Sequence, residues 1–194
     1  MENKIDFSER DHSFADDLFV ERWSPRDFIK YDLKKETLKK IIDAARWSPS
    51  CVNEQPWRIF TASSGSRNFD KFVNLLTEGN RTWAKNASVI GFIISKVDFT
   101  KKNKKNRLSE FDCGAAWMSL SLQARIEGLY THGMGGIHRE DIEKHLNLNS
   151  DNYKVVMGFT IGKLDIKKYI LTNSNTQNRP SSRLGLKEIW KEME

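Results

Sequence analysis

Apolar residues recur at helical spacing over 36–47, where Leu38, Ile41, Ile42 and Ala45 share one face and the lysines lie on the other. The pattern predicts an amphipathic helix that Pro49 stops. Residues 57–62 alternate like a short strand, and 69–76 return to helical spacing. The run Val89-Ile-Gly-Phe-Ile-Ile94 is continuous and β-branched, which predicts a strand covered on both faces. Residues 112–129 form the longest helical stretch, and Ala115, Ala116, Leu120, Leu122 and Ala124 make it small and apolar nearly all round. Such a helix is buried in a core or an interface. A short amphipathic helix follows at 139–146, then a third strand at 155–161 that ends at Gly162. A polar tail at 172–182 precedes the short segment 184–190 and is long for a loop inside a compact domain.

Helices and strands alternate without repeats or an interdomain linker. Residues 1–194 therefore read as one domain, with an N-terminal arm at 1–15 and a tail at 172–194 expected to wrap a partner subunit. A chain of 194 residues buries about 70% of its unfolded surface and needs no disulfide or metal to fold. The longest apolar stretch, 87–94, is far too short to cross a bilayer, and the N-terminus has no apolar signal region. Two cysteines, Cys51 and Cys113, suit a reducing compartment, so a cytoplasmic location is expected.

The formal charge of +6 raises the question of a nucleic-acid surface. The run Lys101-Lys-Asn-Lys-Lys-Asn-Arg107 carries five of those charges, and the rest of the chain is close to balance. It has no interleaved aromatic on which bases would stack, and it reads best as a solvated loop.

The common catalytic signatures are absent. No Gly-x-Gly-x-x-Gly follows a strand, and Gly158-Phe-Thr-Ile-Gly-Lys163 has a spacer one residue too short for a phosphate loop. His12, His132, His138 and His145 lack zinc spacing, and no Gly-x-Ser-x-Gly occurs. No metal site and no catalytic side chain is assigned. An enzyme of this kind borrows a cofactor.

Three polar segments remain. Arg22-Trp-Ser-Pro-Arg26 offers two guanidinium forks and a hydroxyl, which suits a phosphate as well as it suits a solvated turn. Ser48-Pro-Ser-Cys-Val-Asn-Glu-Gln-Pro-Trp57 packs hydroxyl, thiol and amide groups between two prolines, as a heteroaromatic ring with a mixed edge would need. His132-Gly-Met-Gly-Gly-Ile137 lets a backbone approach a flat ligand and present bare N–H groups, or makes a tight turn.

Taken in order, these segments resemble the nitroreductase family. The resemblance rests on Arg-Trp-Ser-Pro-Arg-x-Phe from Arg22, Ser-Pro-Ser-Cys-x-Asn-Glu-Gln-Pro-Trp from Ser48 and Gly-Asn-x-x-Trp-Ala from Gly79. Asp112-x-Gly-Ala-Ala, Glu127-Gly-Leu, the Met-Gly-Gly turn and Arg183-Leu-x-Leu-x-Glu follow, so it spans about 19–190.

The resemblance implies an α+β fold with a central, mostly antiparallel or mixed sheet flanked by helices, in an intertwined homodimer with FMN at the subunit interface. It implies that NADH or NADPH reduces the flavin at N5 and that a nitro compound, quinone or similar small acceptor reoxidises it in a ping-pong cycle. Arg22, Trp23, Ser24 and Arg26 fall in the segment that holds the FMN phosphate and ribityl chain, and Arg183 is a further phosphate contact. Asn80 falls where the pyrimidine edge is bonded. Met134, Gly135 and Gly136 match the turn facing the ring, and Pro49, Ser50, Cys51 and Asn53 match the loop arriving from the other subunit. Trp83 stands where members often carry a cation. A flavin-storage protein without efficient turnover and a basic nucleic-acid-binding domain are the alternatives, separated by steady-state NAD(P)H oxidation and by salt-dependent binding.

Overall fold

The computed structural model describes residues 5–10, 14–101, 104–171 and 178–193. Lys102 and Asn103 of the basic run, and 172–177 of the polar tail, lie outside the described residues.

Five strands form one sheet: β1 (Phe28–Ile29), β2 (Trp57–Ser63), β3 (Val89–Lys96), β4 (Tyr130–Met134) and β5 (Tyr153–Leu164). β5 is the organising strand. β3 and β4 pair with it, β1 pairs with its last two residues, and β2 lies beyond β3 with its outer edge unpaired among the described residues. Every pairing is antiparallel.

The helices are α1 (Asp17–Glu21), α2 (Lys35–Arg46), α3 (Phe69–Asn74), α4 (Glu78–Ala84), α5 (Ser109–Ile126), α6 (Arg139–His145), α7 (Ile166–Leu171) and α8 (Leu186–Ile189). β3 shows why both faces are covered. Val89 and Ile93 join Ile41 and Ala45 of α2 and Cys113, Ala116, Leu120 and Ala124 of α5 on one face. Ile90, Phe92 and Ile94 point the other way, to Phe72 of α3, Ala84 of α4 and Ile142 of α6. Alternating side chains on a strand buried on both faces produce the continuous apolar run read in the sequence.

α5 begins and ends about three residues earlier than the apolar pattern suggests. Its C-terminus is a Schellman cap: Gly128, at φ 73°, donates to the Arg125 carbonyl and Leu129 donates to that of Ala124. Leu129 is thereby folded back into the core. β5 does not stop at Gly162, because β1 continues the ladder at Lys163 and Leu164. The ring of Phe28 lies over Gly162, where a Cβ would come within 2.6 Å of it.

The glycine-rich segment differs most from its sequence reading. Its first three residues are strand: His132, Gly133 and Met134 pair with Thr160, Phe159 and Gly158. Gly133 serves packing, since a Cβ there would lie 2.5 Å from Met157 and 3.3 Å from Trp117 of α5. α4 is also absent from the apolar pattern. It is one short helix whose only fully buried residue is Ala84.

Among the described residues no helix is long and apolar enough to cross a membrane, and no three His, Cys, Asp or Glu residues cluster to hold a metal. Burial pushes the Cys113 thiol up to about 11, so it behaves as core. Lys105 of the basic run is committed to Asp98 at 3.2 Å and to the Asp151 carbonyl at 2.8 Å.

Candidate cofactor site

The segment 22–26, between α1 and β1, is bolted to β4. The His132 Nδ1–H donates to the Pro25 carbonyl at 3.0 Å. Trp23 is 3% exposed and wedges between Tyr130 and Tyr169 at ring distances of 6.1 and 5.6 Å. Its indole belongs to the core, which leaves only its backbone for a ligand. With the even-numbered neighbours turned the other way, Arg22 and Ser24 are half-buried, and the Arg22 Nη1–H donates to the Ser24 hydroxyl at 3.3 Å. Arg26 is exposed, and its backbone N–H donates to Asn178 Oδ1 at 2.9 Å. Asn178 also donates to the carboxylate of buried Asp27, which Lys168 pairs. These bonds bring the chain after α7 back beside the Arg22 segment.

Two more cations meet there. Arg183 donates to the Ser181 hydroxyl at 2.9 Å and to the Ser181 and Ser182 carbonyls. Arg10, from the N-terminal arm, is nearly buried. Burial, then repulsion from Arg183 and Arg22, lowers its guanidinium to about 10, and Arg22 is lowered by burial and by Arg183. No carboxylate of the described residues pairs with any of the three. They edge a cavity of about 660 Å³ whose other walls include Phe19, Trp117, Met118 and Leu186. Three guanidinium groups thus line one side of a mainly apolar cavity, a donor set whose chemistry suits an anion.

The second part of the site lies at the end of β4. The Gly136 carbonyl accepts from Asn80 Nδ2 at 2.9 Å, from the Thr77 hydroxyl at 3.1 Å and from the Thr77 N–H at 3.1 Å. A Cβ on Gly136 would lie 2.6 Å from Thr77 Oγ1 and 2.7 Å from Asn80 Nδ2, so this glycine is required by close approach. Asn80 thus holds the turn, with its Nδ2 directed at protein. A Cβ on Gly135 would meet open space, and the N–H groups of Gly135 and Gly136 donate to nothing among the described residues. Met134 keeps its side chain in the core and offers backbone only.

His132 joins the two parts. Its ring packs on Trp83 at 4.6 Å, one turn after Asn80 on α4, while its Nδ1 holds Pro25. Burial, with Arg26 and Arg22 nearby, lowers its pKa below the ordinary imidazole value. Trp83 is therefore spent on His132 and, at 6.3 Å, on Phe28. No local signal marks Arg10 in the sequence, and His132 stands out there only as the first residue of its glycine-rich segment; both act on carbonyls of distant segments.

The loop at 48–56 stands apart. Ser48 bonds Ser119 of α5 at 2.7 Å, the Cys51 N–H donates to Asp112 at 3.1 Å, and the Gln55 N–H donates to Ser50 Oγ at 3.0 Å. Pro49 and Asn53 are exposed, and Ser50 and Cys51 are half-buried. The loop leads into β2, three strands from β4, or about 14 Å at the usual spacing. Along the strands, Trp57 aligns through Ser95 with Lys154, four residues along β5 from Gly158, the partner of Met134. One chain therefore brings Arg22 and Arg183 to one cavity, bonds Arg22 to Ser24 and Asn80 to Gly136, and links the Pro25 and Trp83 segments through His132, while Pro49, Ser50, Cys51 and Asn53 sit on the loop before β2.

That loop is strained. Val52, Asn53 and Gln55 have φ of 49, 59 and 52°, and Val52 is a β-branched residue 69% exposed to solvent. Left-handed backbone at such a residue costs about 1–3 kcal/mol and collects at sites that need a fixed shape. Val52→Gly is expected to raise thermal stability by roughly 1 kcal/mol, read as an upward shift of the unfolding midpoint in denaturant.

The nitroreductase family model matches residues 20–80 and 66–163, which cover the Arg22 segment, the strained loop, Asn80 and the Met-Gly-Gly turn. The chain belongs to the nitroreductase family. A crystal structure of an oxidoreductase containing FMN is 41% identical, covers 94% of this chain and 94% of that one, and superposes with a TM-score of 0.88. YdgI of Bacillus subtilis (strain 168), which bears the name of an NAD(P)H nitroreductase, is 27% identical over 175 residues, 71% of this chain and 84% of that protein. Nitrobenzene nitroreductase of Ectopseudomonas oleovorans is 37% identical, but over 54 residues only, 28% of this chain and 24% of that protein.

Proposed function

We propose that this nitroreductase-family protein is an FMN-dependent oxidoreductase that takes electrons from NADH or NADPH and passes them to a small electron-poor acceptor, a nitro compound or quinone. The observation that carries the reading is the convergence of Arg10, Arg22 and Arg183 on one cavity, with no carboxylate of the described residues paired to them; the open turn, whose two N–H groups have no partner among the described residues, supports it. FMN, when bound, supplies the redox chemistry by accepting a hydride from the nicotinamide and passing it to the acceptor.

The chain's own groups bind and orient. Arg22, Arg26 and Arg183, with the Ser24 hydroxyl, hold the phosphate and ribityl chain. The N–H groups of Gly135 and Gly136 would be the donors offered to the bound ring and would favour negative charge there. Asn80 and Thr77 keep that turn in place through the Gly136 carbonyl. No side chain is needed as acid or base, and donor and acceptor take turns in one place, which makes the cycle ping-pong.

The working unit is a homodimer in which Pro49, Ser50, Cys51 and Asn53 of one subunit complete the site of the other and exclude water from it. The tail supplies the clasp. Leu184, Ile189, Trp190 and Met193 are all more than half exposed, in a segment that also carries Lys187, Glu188, Lys191 and Glu192. A groove of about 770 Å³ between α2 and β2, with Leu38, Ile42, Trp57 and Ile59 in its walls, offers apolar surface of the kind that tail would cover. It lies along β2, whose outer edge is unpaired among the described residues, and a second copy's apolar tail is its proposed occupant.

A visible spectrum of the purified protein with added FMN, recorded before and after anaerobic NADPH and then NADH, tests the reading. Flavin bands that bleach with donor and return with an acceptor support it. Failure to bind added FMN overturns it, and binding without bleaching leaves the storage alternative standing. Arg22→Ala is expected to weaken FMN binding about 10- to 150-fold, the 1.5–3 kcal/mol of a charge-assisted bond. The apo protein should keep its melting temperature, because the substitution also relieves repulsion with Arg183 and Arg10. Fluorescence titration of FMN and calorimetry of the apo protein measure the two effects separately.

A further inference from the structure

We infer that Arg10 is the positioning residue of the phosphate site, a staple that draws the Arg22 segment and the Arg183 segment together by its bonds to Val20, Arg22 and Ser181. The inference rests on the FMN reading above and adds a residue that no sequence motif supplies.

Its Nη1–H donates to the Arg22 carbonyl at 3.1 Å and to the Val20 carbonyl, and its Nε–H donates to the Ser181 carbonyl at 3.1 Å. These bonds cross 12 and 171 residues of sequence. Both phosphate-binding arginines therefore sit on backbone that Arg10 holds: Arg22 carries one accepting carbonyl, and Arg183 bonds the same Ser181 carbonyl that receives the Nε–H.

Arg10 is 7% exposed, its acceptors among the described residues are carbonyls, and no carboxylate of those residues pairs with it. That arrangement is unfavourable until an anion arrives, because a buried cation needs compensation and carbonyl dipoles supply only part of it. The Phe7 ring, 5.7 Å from the guanidinium, covers it from the side of the N-terminal arm. The fork geometry matters as well as the charge: three acceptors are reached from two nitrogens in one plane, which a lysine ammonium on a flexible stem does not reproduce.

The test compares FMN with riboflavin, which lacks the phosphate, by fluorescence titration of the purified full-length protein and its Arg10→Met and Arg10→Lys variants. In Arg10→Met the FMN affinity is expected to fall at least 10-fold while the riboflavin affinity moves less than about 3-fold, so that discrimination between the two ligands collapses. Arg10→Lys is expected to recover only a minor part of it. An unchanged FMN-to-riboflavin ratio in Arg10→Met overturns the inference, whether both affinities fall together or neither moves. Complete rescue by lysine overturns the staple and leaves charge alone. If the unsubstituted protein binds neither ligand, the FMN reading has failed and this inference with it, whereas normal FMN binding in both variants removes this inference and spares the reading. Should Arg10→Met not fold, Arg10→Lys alone decides by the same ratio.

Discussion

A chain ending at Arg183 is expected to run as a monomer and to lose FMN on gel filtration. The removed segment carries Leu184, Leu186, Ile189, Trp190 and Met193, all among the exposed large apolar residues of the single chain. Burying such side chains contributes about 1.5–3 kcal/mol each, so even two or three of them exceed the worth of the polar contacts around them. α8 is pre-shaped for this role, because the Glu188 carboxylate accepts from the Gly185 N–H at 2.9 Å and sets its first turn. With the tail gone, the exposed Trp47 of the α2 C-cap and Val52 of the strained loop lose the subunit they are expected to face. The Pro49–Asn53 half of the site would go with it, and so would Leu184, Leu186 and Ile189 from the wall of the arginine cavity in the same chain. Light scattering gives the mass, and the visible absorbance of the eluted peak gives the retained flavin. A dimer that keeps its flavin after truncation places the interface elsewhere.

Gly91→Ala is expected to destabilise the fold by about 2 kcal/mol or more, lowering the melting temperature by roughly 4–8 °C for a chain of this size. Gly91 of β3 lies directly opposite Phe159 of β5, and the neighbouring pair reverses the order, with Phe92 opposite Gly158. The Phe159 ring lies over the bare Cα, so a methyl at Gly91 would fall 2.3 and 2.5 Å from two ring carbons and 2.8 Å from the Phe60 carbonyl. Neither neighbour can retreat. Phe159 is fully buried against Trp117 at 5.7 Å, and the carbonyl belongs to the paired strand β2. Because overpacking is the cause, adding Phe159→Leu should recover part of the loss, and the pair should be clearly non-additive in denaturant unfolding. Gly158→Ala is the contrast. Its nearest contacts are 3.0 Å from Ile137 and 3.4 Å from Phe92, and a smaller loss is expected.

The same glycines show how much of the chain could be read in advance. α2, α5, α6, β2, β3 and most of β5 follow from apolar period, since each has a long enough face to leave a pattern. α4 and β4 leave none. α4 has one fully buried residue, and β4 consists of Tyr-Thr-His-Gly-Met, whose strand conformation is imposed by pairing with β5. His132-Gly-Met-Gly-Gly reads as a ligand turn throughout, yet Gly133 answers to Trp117 and Met157, Gly136 answers to Thr77 and Asn80, and only Gly135 faces open space. Spacing cannot distinguish a glycine that admits a ligand from one that admits a neighbouring side chain.

The sequence by itself determined which residue types were on hand for the chemistry, and in what order: two arginines around Ser24, a proline-bounded polar loop, Asn80, a glycine turn and Arg183. Those are local facts, carried by neighbours in the chain and by the backbone limits that proline and glycine impose. Only the tertiary structure decided where each group points. It buried the Trp23 indole and the Met134 side chain, spent Trp83 on His132, and turned the Asn80 amide onto Gly136. It placed the Pro49–Asn53 loop at the start of β2, three strands from β4, and brought Arg10 across 171 residues to Ser181. Direction and distance of that kind come from the packing of the whole core and from buried carbonyls seeking donors, and neither leaves a mark on the residues beside them in the chain.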